Sequence, residues 1–394
     1  MNSCSSILKR AGILALCLLL LPRTIPVFAT EEETTELTLA SASCLLMEGS
    51  TGTILYEKNS HEVLPPASIT KIMTMLLIYE AVEAENIHWD DPVTVSEHAA
   101  SMGGSQVFLE PGETQTVETM LKCISIASAN DACVAMAEHI SGSEEAFVRR
   151  MNLRARELGM SDTVFVNCCG LDTDGHVSSA YDVALMSREL ICRYPEVSRY
   201  ATTWMDTITH TTRKGQSEFG LTNTNKLVRQ FDGITGLKTG STGKAKYCLS
   251  ATAEREEITM IAVVMAAPDT KTRFREAACL MNYGFACCTR YVDDHADFSV
   301  TRLRLSGGLS DSVLVEPEQP FFCLLLRGEQ AETLSKKTVL PDKVTAPLKK
   351  GDEVGRIYYY KDGTEIGSVA IVCTEEIRRA TFADYLWKVL KILT

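Results

Sequence analysis

The sequence lacks three features: an excess of basic residues, any apolar run long enough to cross a membrane, and internal repeats. Its 39 basic residues are outnumbered by 51 acidic ones, giving a net charge of −12. This balance argues against a nucleic-acid partner, which requires a basic surface. The longest early apolar run, residues 12–21, is well short of the roughly 20 residues that span a bilayer, so a retained transmembrane anchor is disfavoured.

Cysteine is plentiful, but its spacing is not that of a metal or redox site. The chain has 14 cysteines, and none is spaced as Cys-x-x-Cys. An even number in an exported chain would allow disulfides. The adjacent pairs Cys168-Cys169 and Cys287-Cys288, and the apolar surroundings of most others, are instead typical of small buried hydrophobes. The sequence therefore predicts no disulfide framework and no zinc or redox site of the Cys-x-x-Cys kind.

The N-terminus has the pattern of a secretory leader. The basic pair Lys9-Arg10 precedes the apolar run, and Val-Phe-Ala at 27–29 is a small-x-small cleavage signal. We predict that residues 1–29 are a signal peptide and that the mature protein is exported. A lipoprotein anchor at Cys17 is the alternative, but bulky Leu16 and the continuing apolar run disfavour it.

The remaining chain is long enough for two domains. After an acidic leader at 30–37, helical periodicity and the apolar, β-branched runs 247–252 and 258–266 predict an α+β domain over 38–292. Short alternating runs and glycine-rich breaks then predict a small all-β domain over 293–379.

The last segment, 380–394, has helical amphipathicity. Its apolar residues recur at steps of three and four, namely Phe382, Tyr385, Leu386, Val389, Leu390 and Leu393. We expect an amphipathic helix that lies on the membrane surface with Trp387 near the headgroups. The alternative is a terminal helix docked on the β domain.

A candidate nucleophile and base lie three residues apart in Pro-Ala-Ser68-Ile-Thr-Lys71. At this spacing on a helix, the hydroxyl of Ser68 and the amine of Lys71 can share a hydrogen bond. Serine needs a base to become nucleophilic, and a neutral lysine amine can act as one. Alone, Ser-x-x-Lys is common in exposed helices and carries little weight.

Two further polar triplets interrupt apolar segments. Helical periodicity extends over 117–140, and Ser128-Ala129-Asn130 lies within its otherwise apolar segment 124–137, where polar side chains need partners or a ligand. Lys238-Thr239-Gly240 precedes an apolar strand. Its cation and hydroxyl can hold a carboxylate, and its glycine allows a close backbone approach. Either triplet alone can be explained by local structure and does not by itself indicate a function.

Together, and in this order, the three motifs are the pattern of penicillin-binding proteins and serine β-lactamases. Similar blocks at 65–74, 128–132, 170–175 and 236–242 make the chain resemble the low-molecular-mass D-alanyl-D-alanine carboxypeptidases of the penicillin-binding group over roughly residues 38–380. Ala129 departs from the glycine that several relatives carry there. The resemblance implies an antiparallel sheet flanked by a helical cluster, followed by the β domain.

The resemblance also implies roles for named residues. Ser68 would attack the penultimate D-alanine carbonyl of a peptidoglycan stem peptide, Lys71 would be its base, and Ser128 would relay a proton. The substrate would be bound by Asn130, Lys238, Thr239, Gly240, Ser241 and Arg273, with the backbone of Ser68 and Ser241 holding the oxyanion. No metal or organic cofactor would be required, and β-lactams would acylate the same serine as inhibitors.

Other activities on the same fold stay open. A class A β-lactamase is disfavoured because no glutamate between the second and third motifs has asparagine four residues on. An endopeptidase or transpeptidase shares all three motifs and is harder to exclude. An inactive wall-binding scaffold is disfavoured because it needs neither a nucleophile nor a base.

Overall fold

A computed structural model describes residues 37–393. The predicted signal peptide 1–29 and most of the acidic leader 30–37 lie outside the described residues. Within 37–393, no helix combines the length and apolar character needed to cross a bilayer.

The first part of the structure is built on one antiparallel five-stranded sheet. The runs predicted at 247–252 and 258–266 are its two longest strands. In spatial order the strands are β2 (Ile54–Lys58), β1 (Ser43–Glu48), β9 (Ile258–Ala267), β8 (Lys246–Arg255) and β7 (Ile234–Thr242). The strand that carries Lys238, β7, is therefore at the sheet edge, where one side of its backbone is free to border a cleft.

Both faces of this sheet are covered, which explains its continuous apolar runs. Leu45 and Val263 point into the large core on the helical-cluster side. Leu46 and Met260 point to the opposite face, where they meet the long helix that follows β9. This helix approaches so closely that a Cβ at Gly284 would lie 2.6 Å from the Met260 sulfur. Alternation along the strands thus divides the apolar residues between two layers.

The helices surround this sheet in a cluster on one face and a single long helix on the other. They are α1 (Lys71–Glu83), α2 (Glu97–Ala100), α3 (Val117–Ile126), α4 (Asn130–Ser141), α5 (Glu144–Glu157), α6 (Ala180–Arg193), α7 (Val197–Ala201) and α8 (Thr270–Cys287). Two antiparallel strand pairs accompany them: β3 (Pro92–Thr94) with β4 (Thr114–Thr116), and β5 (Met205–Thr212) with β6 (Gly215–Thr222).

The helical stretch predicted over 117–140 is broken at its polar triplet. Helix α3 ends at Ile126 and α4 begins at Asn130, with Ser128 between them at a φ of 62°. A right-handed helix requires a negative φ, so the positive φ of Ser128 ends the helical path at this residue. The interruption creates a polar corner inside an apolar cluster.

The C-terminal part is all β and has its own small apolar core around Val313, Ile371 and Tyr359. Its strands are β10 (Cys288–Asp293), β11 (Arg302–Ser306), β12 (Ser312–Pro317), β13 (Phe321–Leu326), β14 (Leu334–Val339), β15 (Lys343–Thr345), β16 (Glu353–Lys361) and β17 (Thr364–Cys373). Strands β10 and β13 pair with each other, and the others form a six-stranded sheet. The predicted α+β fold with a following β domain is therefore confirmed.

A terminal helix, α9 (Phe382–Leu393), forms where amphipathicity predicted one. Its large apolar side chains between residues 382 and 390 are exposed: Phe382 is 84% and Trp387 74% accessible. Over these residues the helix does not bury its apolar face as a docked terminal helix would.

Candidate active site

Ser68 lies in a tight turn that leads into α1. The turn is a single 3₁₀ stretch, Ala67–Thr70, and it leaves Ser68 partly exposed between buried neighbours. The loop after α5 packs against this turn through Gly170, which adopts a φ of 87°. A Cβ at Gly170 would lie only 1.8 Å from the Ala67 carbonyl oxygen, so only glycine permits this contact.

Lys71 has a fully buried amine with three polar neighbours. Its Nζ lies 2.7 Å from Asn130 Oδ1, 2.7 Å from the Cys169 carbonyl oxygen and 3.0 Å from Ser68 Oγ. The amide and carbonyl oxygens can only accept hydrogen bonds, so they take two N–H groups of the Lys71 amine. The remaining direction of the amine faces Ser68 Oγ. A base that acts on Ser68 would need this arrangement.

Both polar atoms of the Asn130 side-chain amide form hydrogen bonds. Its Oδ1 accepts from Lys71, and its Nδ2 donates to the Gly103 carbonyl at 2.7 Å. The neighbouring Asp131 carboxylate accepts from the backbone N–H groups of Val107 and Leu109, and burial raises its pKa. The start of α4 therefore holds the loop 103–109 against the site. Asn130 is both a partner of the base and an anchor for the cleft wall.

Ser128 sits at the break between α3 and α4 and is nearly buried. Among residues 37–393, its hydroxyl makes no hydrogen bond, and Lys71 bonds to Asn130 and Cys169 instead. The structure brings Ser128 to the same corner without a direct bond to the base. Its relay role stays a prediction.

The opposite wall of the site is β7. A Cβ at Gly240 would lie 2.9 Å from the Ser68 backbone nitrogen and 3.0 Å from the Pro66 carbonyl oxygen. The predicted close backbone approach at Gly240 is therefore present, and it sets the width of the gap between β7 and the Ser68 turn. Next to it, Thr239 Oγ1 is 2.6 Å from Thr224 Oγ1, so the Thr239 hydroxyl is oriented by a second hydroxyl.

Lys238 is a buried cation without an anion. It is 1% exposed, and its Nζ donates one hydrogen bond, of 3.3 Å, to the Thr239 carbonyl oxygen. Burial, and next the charge of Lys71, hold the pKa of Lys238 well below its ordinary value. Within the described chain no carboxylate forms a salt bridge with it. A bound anionic group would offset this unfavourable burial.

Arg273 and Ser241 flank the same strand. Arg273, on α8, donates from Nη1 to the carbonyl oxygens of Gly240, at 2.9 Å, and Cys248, at 3.3 Å. Its guanidinium is buried, and this burial lowers its pKa. Arg273 therefore supports the backbone that Gly240 occupies, while Ser241 is exposed at the end of β7.

Several contacts of the site have no signal in the sequence. The Cys169 carbonyl that accepts from Lys71 is a backbone atom, and Thr224 belongs to no motif. Thr242 and Asp172, joined by a 2.6 Å hydrogen bond, tie the end of β7 to the loop that contains Gly170. Only the 170–175 block, singled out by its family resemblance, pointed to this loop.

His176 joins that loop to the Ser68 turn by a hydrogen bond. Its Nδ1 accepts from the Val166 N–H at 2.9 Å, so Nε2 carries the proton and donates to Thr70 Oγ1 at 2.8 Å. Burial lowers the pKa of His176 from 6.5 to about 4. The ring is thus neutral near neutral pH.

Comparison with known proteins agrees with this geometry. The fold is that of penicillin-binding proteins: the chain superposes on penicillin binding protein 5 of Haemophilus influenzae with a TM-score of 0.65 and 29% identity, covering 87% of this chain and 98% of that one. It also superposes on PBP3, a peptidoglycan synthesis regulatory factor of Streptococcus pneumoniae, with a TM-score of 0.70 and 29% identity, covering 86% and 100%.

The family models are more specific. Residues 29–269 match the D-alanyl-D-alanine carboxypeptidase family, and residues 295–379 match the C-terminal domain of penicillin-binding protein 5. The chain is 42% identical to D-alanyl-D-alanine carboxypeptidase DacF of Bacillus subtilis over 90% of both chains. It is 32% identical to DacC of Escherichia coli over 91% of this chain and 90% of that one. The chain belongs to the D-alanyl-D-alanine carboxypeptidase family, and the predicted family and enzyme class are confirmed.

Gly240→Ala should slow acylation without unfolding the protein. The new Cβ would collide with backbone atoms of the Ser68 turn, so the turn and β7 must separate. A misplacement of reacting groups by about 1 Å can cost about 100-fold in rate. We expect that loss in the rate of labelling by a fluorescent penicillin. Gly243→Ala is the matched control, since a Cβ there meets nothing within 4 Å. Equal labelling rates in the two variants would contradict the close approach of Gly240 to the Ser68 turn.

The neutral state of His176 should make the stability depend on pH. The folded-state pKa is about 4, against 6.5 for the ordinary group. The unfolded chain therefore binds a proton below pH 6.5 that the folded chain binds only near pH 4. Stability from His176 is present above pH 6.5 and is lost as the pH falls towards 4.

The measurement is the free energy of unfolding of wild type and His176→Gln between pH 7.5 and 4. The difference between them should shrink by about 3 kcal/mol on acidification. His139→Gln, at an exposed position, should keep a constant difference from wild type. A constant difference for His176→Gln as well would show that His176 is not held neutral.

Proposed function

We propose that this protein removes the terminal D-alanine from peptidoglycan stem peptides through an acyl-enzyme on Ser68. The observation that carries the proposal is the Lys71 amine, which meets two obligate acceptors and the Ser68 hydroxyl at 3.0 Å. A structural lysine would not need a partly exposed serine as its third neighbour.

The reaction proceeds in two stages. Lys71 takes the proton of Ser68 as Oγ attacks the penultimate D-alanine carbonyl, and the backbone N–H groups of Ser68 and Ser241 hold the resulting oxyanion. The C–N bond then breaks, and the proton passes from Lys71 through Ser128 to the leaving amine. Water then attacks the Ser68 ester while Lys71 accepts its proton, and as the acyl C–O bond breaks Lys71 returns this proton to Ser68 Oγ.

Recognition of the substrate falls to the edge of β7. Lys238 binds the terminal carboxylate, because a buried cation without a counter-ion is stabilised by an anion. Thr239, oriented by Thr224, donates to the same carboxylate. Gly240 admits the peptide close to the strand, and Arg273 adds positive charge behind it. Asn130 contributes to binding the peptide framework while it holds Lys71 in place.

β-Lactams are predicted inhibitors at the same serine. The ring carbonyl is attacked by Ser68 as the peptide carbonyl would be, but the leaving nitrogen stays tethered to the acyl group. The protein therefore forms a long-lived β-lactam adduct on Ser68. The site requires no metal or organic cofactor for either reaction.

The decisive measurement is intact-mass spectrometry of wild type and Ser68→Ala after incubation with a penicillin, with parallel detection of D-alanine released from diacetyl-Lys-D-Ala-D-Ala. We expect one adduct on wild type only, together with free D-alanine. Ser125→Ala is a matched control, since that serine lies in the same helical cluster but belongs to no motif.

The other outcomes identify the alternatives. An adduct without D-alanine release indicates a transpeptidase or a penicillin sensor, and adding an acceptor amine separates these two. Cleavage of crosslinked peptides in preference to the tripeptide indicates an endopeptidase. Absence of any adduct would leave only the inactive scaffold.

We also propose that the protein is exported and held on the outer face of the cytoplasmic membrane by α9. The support is its exposed apolar side chains, among them Leu386 and Val389. Apolar surface of this kind is buried favourably at the boundary between headgroups and acyl chains. With the helix on the membrane, the β domain would separate the active site from the bilayer.

Leu386→Glu combined with Val389→Glu should abolish membrane binding. Two charges would enter the apolar face, so co-sedimentation with phosphatidylglycerol-containing vesicles should fall at least tenfold. The control exchanges two exposed apolar residues of the β domain, Leu309→Glu with Val339→Glu. Because the attachment is apolar, wild-type binding should persist at high salt. Equal binding of both double variants would rule out α9 as the anchor.

A further inference from the structure

Two adjacent cysteines and a glutamate meet behind the active site. Cys168 and Cys169 lie in the loop between α5 and α6, are fully buried, and are not in a disulfide. Their sulfur atoms are 3.6 Å apart. Glu144, at the start of α5, brings a carboxylate oxygen into the same group, and the three ligand atoms all lie within 4.8 Å of one another.

This spacing matches the requirements of a thiophilic cation. Zn–S bonds of about 2.3 Å in a tetrahedron place two sulfurs about 3.8 Å apart, close to the observed 3.6 Å. Thiolates select soft or borderline cations over magnesium and calcium. The pair of cysteines would therefore need little rearrangement to share one ion.

The carboxylate is already oriented towards the sulfurs. Glu144 Oε1 accepts from the Cys168 backbone N–H at 3.0 Å, and its Oε2 is 3.2 Å from His98 Nε2. Such outer partners fix metal ligands in place. His98 is 54% exposed and the Glu144 side chain 15%, so a cation can enter along this pair. A third thiol, that of Cys133, interacts with Cys169 and adds soft surroundings.

We propose that Glu144, Cys168 and Cys169 form a structural site for one thiophilic divalent cation, of the chemistry of Zn²⁺ or Cd²⁺. Binding releases the two thiol protons to solvent as two metal–sulfur bonds form. The two positive charges of the ion replace those two protons, so the net charge of the cluster does not change.

The consequence is mechanical. The ion would tie the 167–169 loop to α5, and the carbonyl of Cys169 in this loop accepts from Lys71. A cation that binds the folded chain but not the unfolded one also raises the unfolding temperature. The site acts as a clip on the floor of the active site and takes part in no catalytic step, so its test is independent of the proposed function.

The test is titration of the reduced chain, without its predicted leader, with Cd²⁺, followed by the ultraviolet absorption of cadmium–thiolate bonds and by thermal unfolding. We expect one tight equivalent per chain and a higher unfolding temperature. Cys168→Ser should weaken binding at least tenfold and remove the thermal shift. Glu144→Gln should weaken binding about tenfold but keep part of the thiolate absorption.

Cys279→Ser is the matched control, since this exposed cysteine lies on α8, away from the cluster. It should bind as wild type does. The proposal is overturned if wild type gives no thiolate absorption, if Cys279→Ser loses it as Cys168→Ser does, or if Glu144→Gln binds as tightly as wild type. Glu144→Gln serves as the test if Cys168→Ser does not fold.

Discussion

The active site depends on one buried amine. Lys71 can lie in an apolar helical cluster only because Asn130 Oδ1 and the Cys169 carbonyl accept its hydrogen bonds. Those two acceptors come from different parts of the chain, and each is held by its own contacts. The remaining direction of the amine faces Ser68. Satisfying the buried amine and directing it at the Ser68 hydroxyl are thus the same structural requirement.

The elements around Lys71 can be understood as supports of its acceptors. The break between α3 and α4 brings Asn130 to the start of a helix, where its side chain reaches both Lys71 and the loop at Gly103. The loop that supplies the Cys169 carbonyl is fixed by His176 from one side and by the contact of Gly170 with the Ser68 turn from the other. Glu144 adds a third attachment through the Cys168 N–H.

The opposite wall of the site, β7, contains a second buried amine, that of Lys238. Lys238 is buried near a second cation, and its lowered pKa reflects that cost. An anionic ligand would offset this cost, because its binding would remove an unfavourable state of the free protein as well as add a contact. Gly240 then brings this wall close enough to Ser68 for one small substrate to touch both. The separation of β7 from the Ser68 turn is thus set by backbone packing.

Sequence periodicity was sufficient for the large elements because each has a buried face. The strands at 247–252 and 258–266, the β domain and the terminal helix were all predictable from apolar spacing. The three motifs singled out Ser68, Lys71 and Lys238 as candidate site residues because they occur together and in order. Spacing could not locate the break at Ser128, since the apolar pattern runs through it and only packing against Lys71 and the 103–109 loop favours the interruption.

The sequence by itself determined the family, the two-part α+β architecture, and the candidate nucleophile and base, because those properties lie in local residue order and in short motifs. The tertiary structure alone decided that the Cys169 carbonyl is a partner of Lys71, that Thr224 orients Thr239, and that Glu144 meets Cys168 and Cys169. Residue types suggested that these cysteines were ordinary core hydrophobes. Contacts between segments far apart in the chain follow from how helices and loops pack, and backbone acceptors have no residue type through which a sequence could reveal them.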